Sequence, residues 1–228
     1  MVIPVTRTVR IQVGEVTLHG DLSVPTAARS LVLFAHGTGS NRLSPRNRYV
    51  ARVVEEASIA TLLVDLLSAE EEEADVRTGL LRFDVDLLAG RLIAVTDWTL
   101  GDPRVAGLPI GYFGASTGAA AALIAATKRA ELVKAVVSRG GRPDLAGEAL
   151  AGVTAPTLLI VGGRDGPTLA LNRDALESLH AEAQLEIVSG ATHLFEEPGA
   201  LEKVARLARA WFERYLTASA RRRRRPAA

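Results

Sequence analysis

Short runs rich in Val, Ile and Leu alternate along the chain with longer amphipathic stretches. Residues 7–13 and 16–23 alternate polar and apolar positions around Gly14-Glu15 and predict an antiparallel hairpin. Six further runs are short and almost wholly apolar, at 30–35, 59–65, 109–113, 132–138, 157–161 and 185–188. Runs of that length without alternation fit strands covered on both faces. Between them, helical spacing is expected over 45–57, 80–100, 117–128, 144–151, 167–182 and 199–217, with Pro, Gly or Asp at most boundaries. Strand and helix alternate throughout, so the fold class is α/β, a mostly parallel sheet with helices on both faces.

No internal repeat is visible, and the only roomy connection is 66–82, expected to be a loop. The run Glu70 to Glu73 within it reads as a solvated segment. The organisation expected is one domain over 1–217 and a basic, disordered tail over 218–228.

Composition narrows the chemistry. Among 228 residues there is no cysteine, which excludes a thiolate nucleophile, a disulfide and a cysteine metal site. No metal and no organic cofactor are expected. The N-terminus lacks the apolar segment of a secretory signal, and no stretch is apolar enough to span a membrane, so a cytoplasmic protein is expected. Arg221 to Arg225 supply five of the 27 basic residues against 26 acidic ones, leaving the body mildly acidic. No nucleic-acid partner is expected from such a tail.

The most informative motif is Gly114-Ala115-Ser116-Thr117-Gly118, between the run 109–113 and an alanine-rich helix. A nucleophile held on a sharp strand-to-helix turn needs neighbours without side chains, so that the helix packs close and the hydroxyl stays exposed. A serine hydroxyl also needs a base, and histidine suits that task near neutral pH. Of four histidines, His19 lies in the hairpin, His180 on a late helix, and His36 ends a strand beside Gly37. His193 follows the last apolar run and falls at the carboxyl edge of the sheet, where open α/β sheets bind ligands. Asp165, reached through Gly162-Gly163-Arg164, is the carboxylate expected to orient it, with Asp144 the alternative. The oxyanion formed on attack needs two amide donors, expected from Thr117 and from Thr38 in His36-Gly37-Thr38-Gly39. Gly37 to Ser40 lacks the lysine of a P-loop, so nucleotide binding is not expected.

These residues together resemble the α/β-hydrolase superfamily, in particular its small, capless dienelactone-hydrolase-like branch, over roughly residues 15–217. The resemblance implies an α/β-hydrolase fold with a twisted sheet of about eight strands, the second antiparallel, and no cap domain. It also implies a triad at the carboxyl edge and hydrolysis of esters or lactones without cofactor. Ser116 stands where dienelactone hydrolases use cysteine, which favours ordinary carboxylic esters, a small-molecule substrate. An acyltransferase on the same acyl-enzyme and a non-catalytic binding protein of the same shape are the competing readings. Arg77, Arg82 and Arg139, with Arg142, are candidates for binding a substrate carboxylate; His36 and Phe195 are further candidate pocket residues.

Overall fold

A computed structural model describes residues 6–223, and side chains through residue 216. In chain order the elements are β1 (Thr6–Val13), β2 (Val16–Ser23), β3 (Leu31–Ala35), α1 (Pro45–Glu55), β4 (Ala60–Val64), α2 (Ala69–Thr78), α3 (Val85–Gly101), β5 (Ile110–Ala115) and α4 (Thr117–Lys128). They continue with β6 (Val133–Arg139), β7 (Thr157–Gly162), α5 (Gly166–Ser178), β8 (Ala183–Val188) and α6 (Ala200–Arg223). The eight strands form one sheet in the order β1-β2-β4-β3-β5-β6-β7-β8. β2 runs antiparallel to both its neighbours, and every later pairing is parallel. This is the α/β-hydrolase fold that the sequence motif implied.

The two faces follow from the period of two along each strand. Leu33, Leu62, Tyr112, Val136 and Leu159 pack on the side of α3 and α4. Their chain neighbours Phe34, Leu63, Phe113, Val137 and Ile160 pack on the side of α1 and α6. Both neighbours in each pair are buried, which is why these runs show no polar alternation in the sequence. α4 lies close on the sheet because Ala119 to Ala122 carry only methyl groups toward it.

Three segments differ from expectation. The segment expected as a loop contains α2, whose start is a capping box: the Ser68 hydroxyl accepts from the Glu71 amide, and the Glu71 carboxylate accepts from the Ser68 amide. Glu70 to Glu72 lie in its first turn, where negative charge meets the positive end of the helix dipole, so the acidic run starts a helix. Gly79 ends it at φ 65°. The stretch 144–151, expected as a helix, lies in 3-10 turns over Pro143–Gly152 kinked at Gly147, φ 52°. The stretch 80–100 divides into a short 3-10 turn, Leu81–Phe83, and α3, capped by the Asp84 carboxylate. The run 199–217 is helical and continues to Arg223, so the tail expected over 218–228 lies outside the residues with described side chains. Among the described residues no helix is long and apolar enough to cross a membrane.

Candidate active site

Ser116 stands between β5 and α4 with φ 51° and ψ −123°, backbone that a residue with a Cβ rarely adopts. Three glycines make this turn possible. A Cβ on Gly114 would lie 2.4 Å from the Ala119 Cα, and one on Gly118 2.3 Å from the Ala35 carbonyl oxygen. A Cβ on Gly37 would lie 2.7 Å from the Ser116 Cβ, so the loop after β3 runs directly against the serine. The turn is tied to the end of β6. The Ser116 amide donates to the Arg139 carbonyl at 3.4 Å, and the Arg142 amide donates to the Ser116 carbonyl at 3.1 Å.

His193 occupies the loop after β8. Its Nδ1 is 2.7 Å from Oδ2 of Asp165, which caps α5 and accepts from the Thr168 amide through Oδ1. Burial opposes ionisation of Asp165, but the hydrogen bonds from His193 and Thr168 bring its pKa below the usual value. An ionised carboxylate only accepts, so the neutral ring carries its proton on Nδ1 and leaves Nε2 free as a base. The His193 side chain is 42% exposed and Asp165 11%, so the ring reaches solvent while the carboxylate is sheltered. Asp144, the alternative, is held by both Nε and Nη2 of Arg142.

Glycines again set the approach of the histidine loop. A Cβ on Gly162 would lie 2.5 Å from the Ala191 carbonyl, and one on Gly140 3.5 Å from the Cε1 and Nδ1 atoms of His193. Gly140 directly follows Arg139, whose carbonyl holds the Ser116 amide, so serine and histidine flank one turn at the end of β6. Among the described residues no hydrogen bond joins the Ser116 hydroxyl to His193. Such bonds tighten when substrate binds.

Thr38 and Thr117 face each other, their hydroxyls 3.1 Å apart. Among the described residues neither backbone amide donates to a protein acceptor, and Thr117 is the first residue of α4, where helix amides are unpaired. His36 lines the cavity described next and also plays a structural part. It is buried, its Nε2 accepts from the Leu66 amide at 3.1 Å, and its Nδ1 contacts the Gly37 carbonyl at 3.1 Å. Burial lowers its pKa, so a neutral ring ties the Thr38 loop to the end of β4.

Beside Thr38 and Thr117 opens a cavity of about 430 Å³, bounded also by Leu67, Leu88, Glu72 and Arg82. Its outer wall is α2, which sequence reasoning passed over although Ser68-Ala69-Glu70-Glu71 carries the capping-box spacing. Arg82 lines this cavity but is committed to Asp75, pairing through Nε with Oδ2 and through Nη2 with the backbone carbonyl. Burial disfavours the Asp75 carboxylate, yet Arg82 and the Leu81 and Arg82 amides bring its pKa below the usual value. Replacing Arg82 with methionine is therefore expected to lower the melting temperature near neutral pH. The deficit should narrow as pH falls toward about 4, because protonation relieves the unpaired carboxylate in the variant while wild type loses its stabilised charge. A deficit independent of pH in thermal unfolding would contradict this account.

Arg77 is exposed on the last turn of α2, and Arg142 is occupied by Asp144. Phe195 does not border the cavity: with φ 56° it turns into the core beneath α1 and α6 and is 1% exposed. Arg139 is buried at the end of β6.

The sequence profile of the dienelactone hydrolase family matches residues 53–217. A crystal structure of a dienelactone hydrolase from Anabaena variabilis is 60% identical, with a TM-score of 0.92 over 93% of this chain and 99% of that one. Est1E from Butyrivibrio proteoclasticus, at 15% identity and TM-score 0.77 over 91% of this chain and 98% of its own, shares the fold. A Mycobacterium tuberculosis H37Rv protein with the provisional name of phosphoribosyl transferase is 57% identical over 204 residues, 90% of this chain. The match takes in 45% of that protein, so the chain spans about half the length of the curated relatives it matches.

Proposed function

The chain belongs to the dienelactone hydrolase family, and on that premise we propose that it is a hydrolase that cleaves carboxylic esters through an acyl-enzyme on Ser116. The observation that carries the reading is the 2.7 Å contact of His193 with Asp165. That contact stands at the same sheet edge as a serine on a strained, glycine-flanked turn. In this reading the hydrolase domain is residues 1–217.

His193 Nε2 takes the hydroxyl proton as Ser116 Oγ attacks the acyl carbon. Asp165 stabilises the imidazolium that forms and keeps Nε2 facing the serine. The Thr38 and Thr117 amides, unpaired among the described residues, receive the oxyanion. Collapse breaks the ester C–O bond, and the alcohol leaves with the proton from His193. Water, deprotonated by the same base, attacks the acyl-serine; the acid departs and Ser116 regains its proton. The cavity beside the two threonines suits one arm of a small ester.

The name of the mycobacterial relatives is not carried over, since it describes chains more than twice as long as the matched part. The test is an active-site titration. A fluorophosphonate is expected to label the folded chain once, at Ser116, and short-chain aryl esters should release one acid per alcohol. A folded chain that neither labels nor hydrolyses any ester of a broad panel would refute the reading.

A further inference from the structure

Among the described residues Arg139 is a cation left unpaired. It ends β6 only 9% exposed, and among the described residues its Nε and Nη1 are buried without a hydrogen-bond partner and no carboxylate pairs with it. Strand alternation sends its side chain to the α1 and α6 face with Ala135 and Val137. There it lies within electrostatic reach of Arg46 in the first turn of α1, and burial first, then this second cation, pull its pKa down to about 10. Arg46 has its own buried, unpartnered Nε, and its ion pair with Glu196 is at 3.2 Å to a carboxylate 65% exposed. Arg46 stands in the first turn of α1, at the positive end of its dipole, and among the described residues the carboxylate paired with it is solvated. A buried charge without a counter-charge is a large cost to the fold. Such a cost is expected where the charge serves an anionic ligand.

We propose that Arg139 and Arg46 form an oxyanion-binding site at the end of β6, taking a carboxylate or phosphate group. The site is next to the chemistry: the Arg139 carbonyl holds the Ser116 amide, Gly140 packs on His193, and Glu196 belongs to the loop that carries His193. The anion is either a charged arm of the substrate, which rests on the ester-hydrolase reading, or a separate ion that braces the histidine loop.

The experiment has two arms on the full chain, with wild type, Arg139→Gln and Arg46→Gln. In the first, melting temperatures are compared in inorganic phosphate and in sodium chloride of equal ionic strength. Phosphate should raise the wild-type value by about 4 °C or more near saturation and each variant's by less than half as much. In the second, kcat/KM is measured for an aryl hemiglutarate and an aryl butyrate. A fall of about tenfold or more in the hemiglutarate-to-butyrate ratio on Arg139→Gln, with phosphate competing against the hemiglutarate, assigns the site to a substrate arm. An unchanged ratio with the thermal effect intact assigns it to a separate ion. Equal wild-type melting temperatures in the two salts, with the ratio unchanged in both variants, overturn the proposal. Should Arg139→Gln not fold, Arg46→Gln must show the same loss, and its absence there overturns it. If no ester is turned over by wild type, the hydrolase reading fails while the thermal arm still decides the anion site.

Discussion

Replacing Ser116 with alanine is expected to cut kcat for short-chain aryl esters by about 10⁴-fold or more, with KM shifted far less. The reasoning starts from what the substitution leaves in place. The Ser116 hydroxyl makes no capping hydrogen bond to α4, and the contacts that hold the turn come from its backbone amide and carbonyl. Alanine keeps the Cβ that lies against Gly37, so the oxyanion loop and its two amides should remain as they are. What disappears is the atom that forms the acyl-enzyme in the proposed mechanism. Water attacking directly, held by the remaining amides and His193, should supply only a small residual rate. The measurement is steady-state turnover by a purified variant with the wild-type circular dichroism and melting curve, together with loss of fluorophosphonate labelling. Turnover within about tenfold of wild type would remove Ser116 from the mechanism.

Most of the sheet could be read from the chain because its strands are buried on both faces, and unbroken apolar runs mark such strands by composition alone. That Ser116, Asp165 and His193 would lie at one sheet edge was legible for a related reason: each follows a strand, and the fold brings the strand ends to one edge. What the hydropathy pattern missed is held by local polar chemistry. α2 buries almost none of its residues, so no apolar stripe announces it. Its order comes from the Ser68–Glu71 box, from Gly79 and from the clasp of Arg82 on Asp75. The segment 143–152 has helical composition but Gly147 takes a φ of 52°, and the turns stay 3-10. Phe195 stands two residues from His193, which suggested a pocket wall, yet its backbone at φ 56° sends the ring into the core. Arg139 was legible as a cation near the site but not as a buried one, because burial at a strand's last position depends on α1 and the histidine loop arriving from elsewhere.

Exchanging Asp165 for asparagine should cost nearly as much activity as losing the serine, about 10⁴-fold in kcat, while leaving the fold almost untouched. Asparagine caps a helix about as well as aspartate, so the bond to the Thr168 amide and the start of α5 should survive. The loss is electrostatic and tautomeric. The carboxylate accepts the Nδ1 proton at 2.7 Å and keeps Nε2 free, whereas an amide NH₂ turned toward the ring favours the tautomer protonated on Nε2. That ring cannot accept the Ser116 proton, and no charge remains to stabilise the imidazolium. Asp144 cannot substitute, because Arg142 already holds both its oxygens. Stability gives an independent reading with a definite sign. The folded-state pKa of Asp165 is lowered, so its ionised form stabilises the fold above the unfolded value near 3.9 and loses that contribution as pH falls through the folded value. Wild type should therefore melt above the variant near neutral pH, and the gap should close in acid. A variant within about tenfold of wild-type activity, or a gap that does not narrow below about pH 4, would show that Asp165 does not orient the base.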